Sequence, residues 1–402
     1  MEPTLVGPRL VGDCNACRTR FSLAEEITLR VTFARCPHCD AVVDLVDSVE
    51  RKPGQQVTIE PIMLSSRLHR GDLVIFDDST IGHEPSSTAT HAPSRSVKRL
   101  AGFPGESIRI TDGDLFVDGR RHQKSADDFY RMAVHVDSWD FAVDCFSDDS
   151  GPIRSSVYES TSLWPRIGER AIRHASPILD ELSTNTDEPF EFVQVHDIGM
   201  LMQFETFPLV HFDMAISIWS RDALRSVQLR FSPTRCDIAA TMKTSESIPV
   251  VTSWNLPEGV NGCGAIRLLA ATVDGRFIVA LLDDLGLAVR SHYWTLDECI
   301  GDRLATNGAG YSSERPIVVS VRGTHPQLRI IHVIRDIHYR GPNGEYDYPL
   351  SIVDAYHVLG DNVSISSDSR SQLSEGIERN RISARVILEP PGHGPTLHQA
   401  AR

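Results

Sequence analysis

Three times in this chain an Asp-Gly dipeptide closes a run of alternating or apolar residues, and that pattern commits much of it to antiparallel β-structure. Ile108 and Ile110 alternate with polar residues, Asp112-Gly113 follows, and Leu115-Phe116-Val117 leads to Asp118-Gly119. A two-residue type I′ turn needs positive φ at both central residues, which Asp and Gly tolerate, so the pattern predicts tight hairpins. The runs Gly264–Val273 and Arg276–Leu282 flank Asp274-Gly275 in the same way. Phe212, Met214, Ile216 and Ile218 alternate with Asp213, Ala215 and Ser217, and Val227, Leu229 and Phe231 with Gln228 and Arg230. With Val318–Val321 and Leu328–Ile334, these short strands predict a β-sandwich within residues 126–345. One helical segment is expected near Ile167–Leu182.

The 402 residues exceed one ordinary core, so two or three domains are expected. The hydrophobic share of 41% is that of a globular chain. A net charge of −14 implies no basic face, which argues against nucleic acid as a partner. No stretch approaches the ~20 apolar residues of a membrane-spanning helix. No basic-then-apolar leader opens the chain.

Cys14-x2-Cys17, eighteen intervening residues, and Cys36-x2-Cys39 form a two-knuckle pattern. Each tight turn presents two thiolates, and two turns close a tetrahedral site with no position left for water, so the expected cofactor is a structural zinc. Two disulfides are the alternative, favoured by an oxidising compartment. Cys145, Cys236, Cys263 and Cys299 are scattered and read as small buried hydrophobes.

Two further segments carry chemistry. The first is Lys98-Arg99-Leu100-Ala101-Gly102-Phe103-Pro104-Gly105-Glu106; the second is Gly360-Asp361-Asn362 followed by Ser366-Ser367-Asp368-Ser369-Arg370. Singly, each reads as a surface lysine, a turn or a loop. In this order, with an Asp-Gly hairpin after the first, they resemble the type I signal peptidases, the S26 family of serine proteases. The resemblance covers roughly residues 54–125 and 346–390.

It implies a mainly β fold: a signal peptidase-like core carrying an N-terminal zinc ribbon and an inserted β-sandwich-like domain. The implied organisation is a motif remnant at 1–5, the ribbon at 6–50, the core at 54–125 and 346–390, the inserted domain at 126–345 and a disordered tail at 391–402. It further implies Lys98 as general base and Ser366 as the residue that orients it. Gly360, Asp361, Asn362, Asp368 and Arg370 would support the site, with Asp368 and Arg370 as an ion pair. A free amine of pKa ~10.4 is protonated at neutral pH. Apolar surroundings disfavour the ammonium and let the amine accept a serine proton. Leu100, Phe103 and Leu359 are candidate walls.

The nucleophile of the family lies in a Ser-Met-x-Pro-Thr-Leu box, and this chain opens Met1-Glu2-Pro3-Thr4-Leu5. The resemblance places the serine directly before Met1, with a membrane anchor further upstream, and a chain starting at Met1 is then expected to be inactive. The implied substrates are secreted preproteins with signal peptides. The implied location is the outer face of the cytoplasmic membrane. Two other readings stay open. Met63 in Met63-Leu64-Ser65-Ser66 stands where a degraded box would put the serine, giving a catalytically dead binding module. Alternatively, Ser65 or Ser66 substitutes as nucleophile.

Overall fold

The computed structural model describes residues 5–77, 95–140, 170–180, 193–295, 317–348 and 354–387, with breaks inside these ranges. The protein is mainly β. It divides into two compact units. The first comprises Met1–His122, Glu181–Phe192 and Ile337–Arg402; the second comprises Gln123–Asp180 and Val193–Asp336.

The first unit is organised by a six-stranded antiparallel sheet. Its strands are β1 (Thr58–Pro61), β2 (Leu73–Asp77), β3 (Arg95–Gly102), β4 (Ala355–Leu359), β5 (Ile377–Glu378) and β6 (Ile382–Ile387), in the order β5-β4-β3-β2-β6-β1. Leu73-Val74-Ile75-Phe76 is apolar without alternation because both faces are covered there. Val74 and Phe76 pack with Leu68, Leu100, Val358, Ile377 and Ile382. Leu73 and Ile75 pack with Ala384 and Val386, and Leu5 and Val97 lie against them. A four-stranded sheet holds the hairpin Ile108–Thr111 and Asp114–Val117. Its turn residues Asp112 and Gly113 have φ of 50° and 85°, as a type I′ turn requires.

Toward the N-terminus, Arg9–Asp13 pairs with Arg20–Ala24 and Val49–Lys52, and Phe33–Arg35 pairs with Val42–Asp44. Each Cys-x2-Cys therefore falls in the connection of an antiparallel pair. Cys14 is buried; Cys17, Cys36 and Cys39 lie outside the described residues.

The second unit is a sandwich of two six-stranded sheets. Met200, Met202, Leu268, Val279 and Val333 from one sheet meet Met214, Ile216, Leu229, Ile238 and Val319 from the other. Strand Arg267–Val273 is buried along its whole length. Leu268 and Ala270 enter the sandwich core, while Leu269, Ala271 and Val273 face helix α1 (Ala126–Met132) through Phe129 and Tyr130. Asp274 (φ 49°) and Gly275 (φ 76°) make the predicted turn. The helix expected near Ile167–Leu182 is corrected: its described residues Arg170–His174 form a strand paired with Ile317–Gly323. A partner about 150 residues away overrides local helical patterning.

Candidate active site

Lys98 and the Gly360 box meet because β3 and β4 pair. His357 lies opposite Gly102, Val358 opposite Leu100 and Leu359 opposite Arg99. Continuing that register by one residue sets Gly360 beside Lys98. The chain then returns, and Lys98 Nζ donates to Ser366 Oγ at 2.8 Å. Both residues are half-buried. A Cβ on Gly360 would lie 1.8 Å from Ser366 Oγ and 2.5 Å from its Cβ, so only glycine leaves the space that Ser366 occupies.

The return loop is pinned on both flanks. Asp368 Oδ2 accepts the Gly360 N–H at 2.7 Å. The Arg370 guanidinium grips the same carboxylate through Nε at 2.9 Å and an Nη at 2.6 Å, while another Nη donates to the Arg340 carbonyl. Val358 N–H donates to Ser369 Oγ, and Ser369 N–H donates to the Val358 carbonyl, each at 3.0 Å. Charge-assisted forks of this kind fix geometry as well as adding stability.

Arg99, on the opposite face of β3 from Lys98, makes a second fork. Its Nε and an Nη reach Asp361 at 2.9 and 2.5 Å, and its other Nη reaches the Gly71 carbonyl at 2.8 Å. Both side chains are almost wholly buried. Sequence reasoning singled out Asp361 but missed this partner, although Arg99 stands next to Lys98 in the same motif. Leu100 and Phe103 belong to the apolar cluster on the Lys98 face of the strand. Leu359 pairs with Arg99 and so faces the other way, which removes it as a wall for Lys98.

His357 is fully buried opposite Gly102, where a Cβ would lie 2.9 Å from its ring. Burial pushes its pKa below the ordinary histidine value, with Glu106 raising it and Arg70 lowering it in smaller measure. Asn362 and Met1–Thr4 lie outside the described residues, as does Ser65. Ser66 Oγ accepts the Met63 N–H at 3.0 Å, a local turn contact, and Met63 is 75% exposed.

The family model for signal peptidase, peptidase S26, matches residues 42–151. This chain carries a signal peptidase S26-like domain. The matched family is one of serine peptidases, and its substrates bear signal peptides. The matched residues include Lys98 and the Asp112-Gly113 hairpin, and end well before Gly360. No curated protein matches the chain. Among solved structures, the CBM2 module of the evolved Dit of Lactobacillus casei BL23 phage J-1 is 11% identical with a TM-score of 0.25, covering 41% of this chain and 66% of its own. The exoplasmic/lumenal domain of VIP36 is 11% identical with a TM-score of 0.27, covering 44% and 77%. The laminarinase catalytic domain from Thermotoga petrophila is 12% identical with a TM-score of 0.23, covering 35% and 64%. This chain thus spans just under two thirds of the first and third of these. Among the described residues, no helix is long and apolar enough to cross a membrane.

Proposed function

We propose that this protein is a signal peptidase I-type serine endopeptidase that cleaves signal peptides from secreted preproteins with a Ser/Lys dyad. The contact between Lys98 Nζ and Ser366 Oγ carries the reading. It joins two motifs 268 residues apart, in the relation that a base and its orienting hydroxyl require. The nucleophile is a serine encoded directly before Met1, which attacks the scissile carbonyl while Lys98 takes its proton and returns it to the leaving amine. Gly360, Asp361, Asn362, Asp368 and Arg370 support the site. The substrate binds as an extended strand beside the sheet, and the catalytic part works on the outer face of the cytoplasmic membrane. Cys14, Cys17, Cys36 and Cys39 bind a structural zinc. The buried position of Cys14 and the antiparallel strand pair flanking each Cys-x2-Cys support that assignment.

The test begins with the in-frame codons before Met1. The expected finding is a serine codon, and a chain extended through it should cleave a signal-peptide substrate that the chain from Met1 leaves intact. Another codon at that position, or undiminished cleavage by the chain from Met1, would sink the proposal in favour of a binding module or a different nucleophile.

A further inference from the structure

We propose that Tyr339 is a positioning residue for the Lys98–Ser366 contact, carried by a short strap, Ile337–Arg340, that braces both carboxylates flanking Gly360. The chain re-enters the first unit at Ile337. The strap lies outside both sequence motifs and outside the residues that the family model matches. Ile337 and Tyr339 are buried, at 2% and 5% exposure.

The strap takes its register from a backbone contact. Tyr339 bridges Gly113 in antiparallel fashion, and its N–H donates to the Gly113 carbonyl at 3.4 Å. A Cβ on Gly113 would stand 2.1 Å from His338 Nδ1, so only glycine lets the strap lie this close. Two arms extend from that anchor. Tyr339 Oη donates to Asp361 Oδ1 at 3.5 Å, the same oxygen that Arg99 Nε reaches. One residue on, the Arg340 carbonyl accepts from the Arg370 guanidinium at 2.8 Å. Arg370 in turn holds Asp368, whose Oδ2 accepts the Gly360 N–H.

Packing alone does not account for the phenol. A phenylalanine would fill the same buried space, whereas a buried hydroxyl needs a polar partner. Here that partner is a carboxylate already held by an arginine fork. The fork is planar: it fixes the separation of the two groups but leaves the carboxylate able to swing about the line joining them. A donor from a third segment removes that swing. Asp361 follows Gly360 directly, and Ser366 rests against Gly360, where a Cβ would lie 1.8 Å from its Oγ. The place of Ser366, and with it the 2.8 Å contact from Lys98 Nζ, is thereby tied to the strap. The effect on cleavage rests on the peptidase reading above; the effect on the Lys98–Ser366 contact does not.

The chain has four lysines, Lys52, Lys98, Lys124 and Lys243, so isotope labelling of lysine at Cε gives four magnetic resonances, and Lys98→Met assigns the one in question. In the 402-residue chain, Tyr339→Phe should move the Lys98 resonance toward the position it takes in Ser366→Ala. The other three should stay in place, and the melting temperature should hold. In the serine-extended chain, Tyr339→Phe should lower kcat about tenfold with KM unchanged, the scale of one hydrogen bond to a charged group. It should cost nothing further in a Ser366→Ala background. A Lys98 resonance that Tyr339→Phe leaves in place, or that moves only together with the other three, overturns the proposal. So does a loss of activity that adds in full to that of Ser366→Ala. A displaced Lys98 resonance in a serine-extended chain that cleaves nothing would defeat the peptidase reading and leave the strap standing.

Discussion

The two units each place a lysine at a structural junction and treat it differently. In the first, half-buried Lys98 donates to a neutral hydroxyl, Ser366 Oγ. In the second, Lys124 is buried and its Nζ donates to Asp274 at 2.8 Å and Asp336 at 2.7 Å. For Lys124 burial opposes the charge, but the two carboxylates outweigh it and hold the pKa well above the ordinary lysine value. A lysine gripped in this way is a permanent cation and ties strands together. Lys98 instead meets a hydroxyl that a second, distant motif supplies. The difference lies in the partners and not in the residue type.

The comparison breaks first on removing each amine. In the serine-extended chain, Lys98→Met should cut peptide cleavage by roughly 10,000-fold, on the scale of losing a dyad member, with little change in melting temperature. Lys124→Met should do the reverse. It strands two buried carboxylates, at a cost of about 3–5 kcal/mol, and should show as a large drop in denaturation midpoint or loss of soluble protein. Equal effects of both substitutions on stability would erase the distinction drawn here.

A smaller effect is expected at the cradle. Gly360→Ala must displace Ser366, whose Oγ lies 1.8 Å from the new Cβ. A misplacement near 1 Å costs about 100-fold in rate. Ser366→Ala should cost a similar factor, and the double variant should be no worse than either single one, because both remove one contact. Additive losses, read from kcat/KM, would mean that Gly360 acts through Asp368 instead.

What was legible in the sequence divides along the same lines of distance. The Asp112-Gly113 and Asp274-Gly275 hairpins were readable because turn chemistry is local, and the structure has both. Helix α1 was missed. Its signal was present in Ser125-x-x-Asp128, a capping box, but seven residues are too short for a hydrophobic period to register. The segment around Arg170–His174 was misread as helix because its partner, Ile317–Gly323, is remote in the chain. The Lys98 and Ser366 motifs were visible singly as a lysine and a loop. Only the resemblance joined them, since no local pattern encodes a pairing of strands more than 250 residues apart. Arg99 escaped for the same reason: a buried arginine fork needs its carboxylate, Asp361, which arrives from β4's end.

Metal removal reaches a third region. If Cys14, Cys17, Cys36 and Cys39 hold zinc, a strong chelator should release one metal per chain. It should also loosen the N-terminal strands, seen as faster amide exchange over Arg9–Lys52, while the Lys124 network stays protected. No metal released, with protection lost on reduction instead, would leave disulfides as the better account.

The smallest expected effect concerns pH, and it again separates the units. Burial depresses His332 to about 4, with His135 and Arg267 adding smaller contributions. Its ring lies 5.4 Å from that of His135. Because the folded state resists a proton that the unfolded chain accepts near pH 6.5, stability from this group is present above that pH. It is lost progressively as pH falls toward 4. His357 in the catalytic sheet is depressed in the same direction by its burial. His332→Leu should therefore flatten the acid limb of the second unit's stability, and His357→Leu that of the first, each followed by an amide-exchange probe in its own unit. If one substitution flattened both limbs, the units would be unfolding as a single cooperative body, and the contrast between Lys98 and Lys124 would have to be read within one energetic unit.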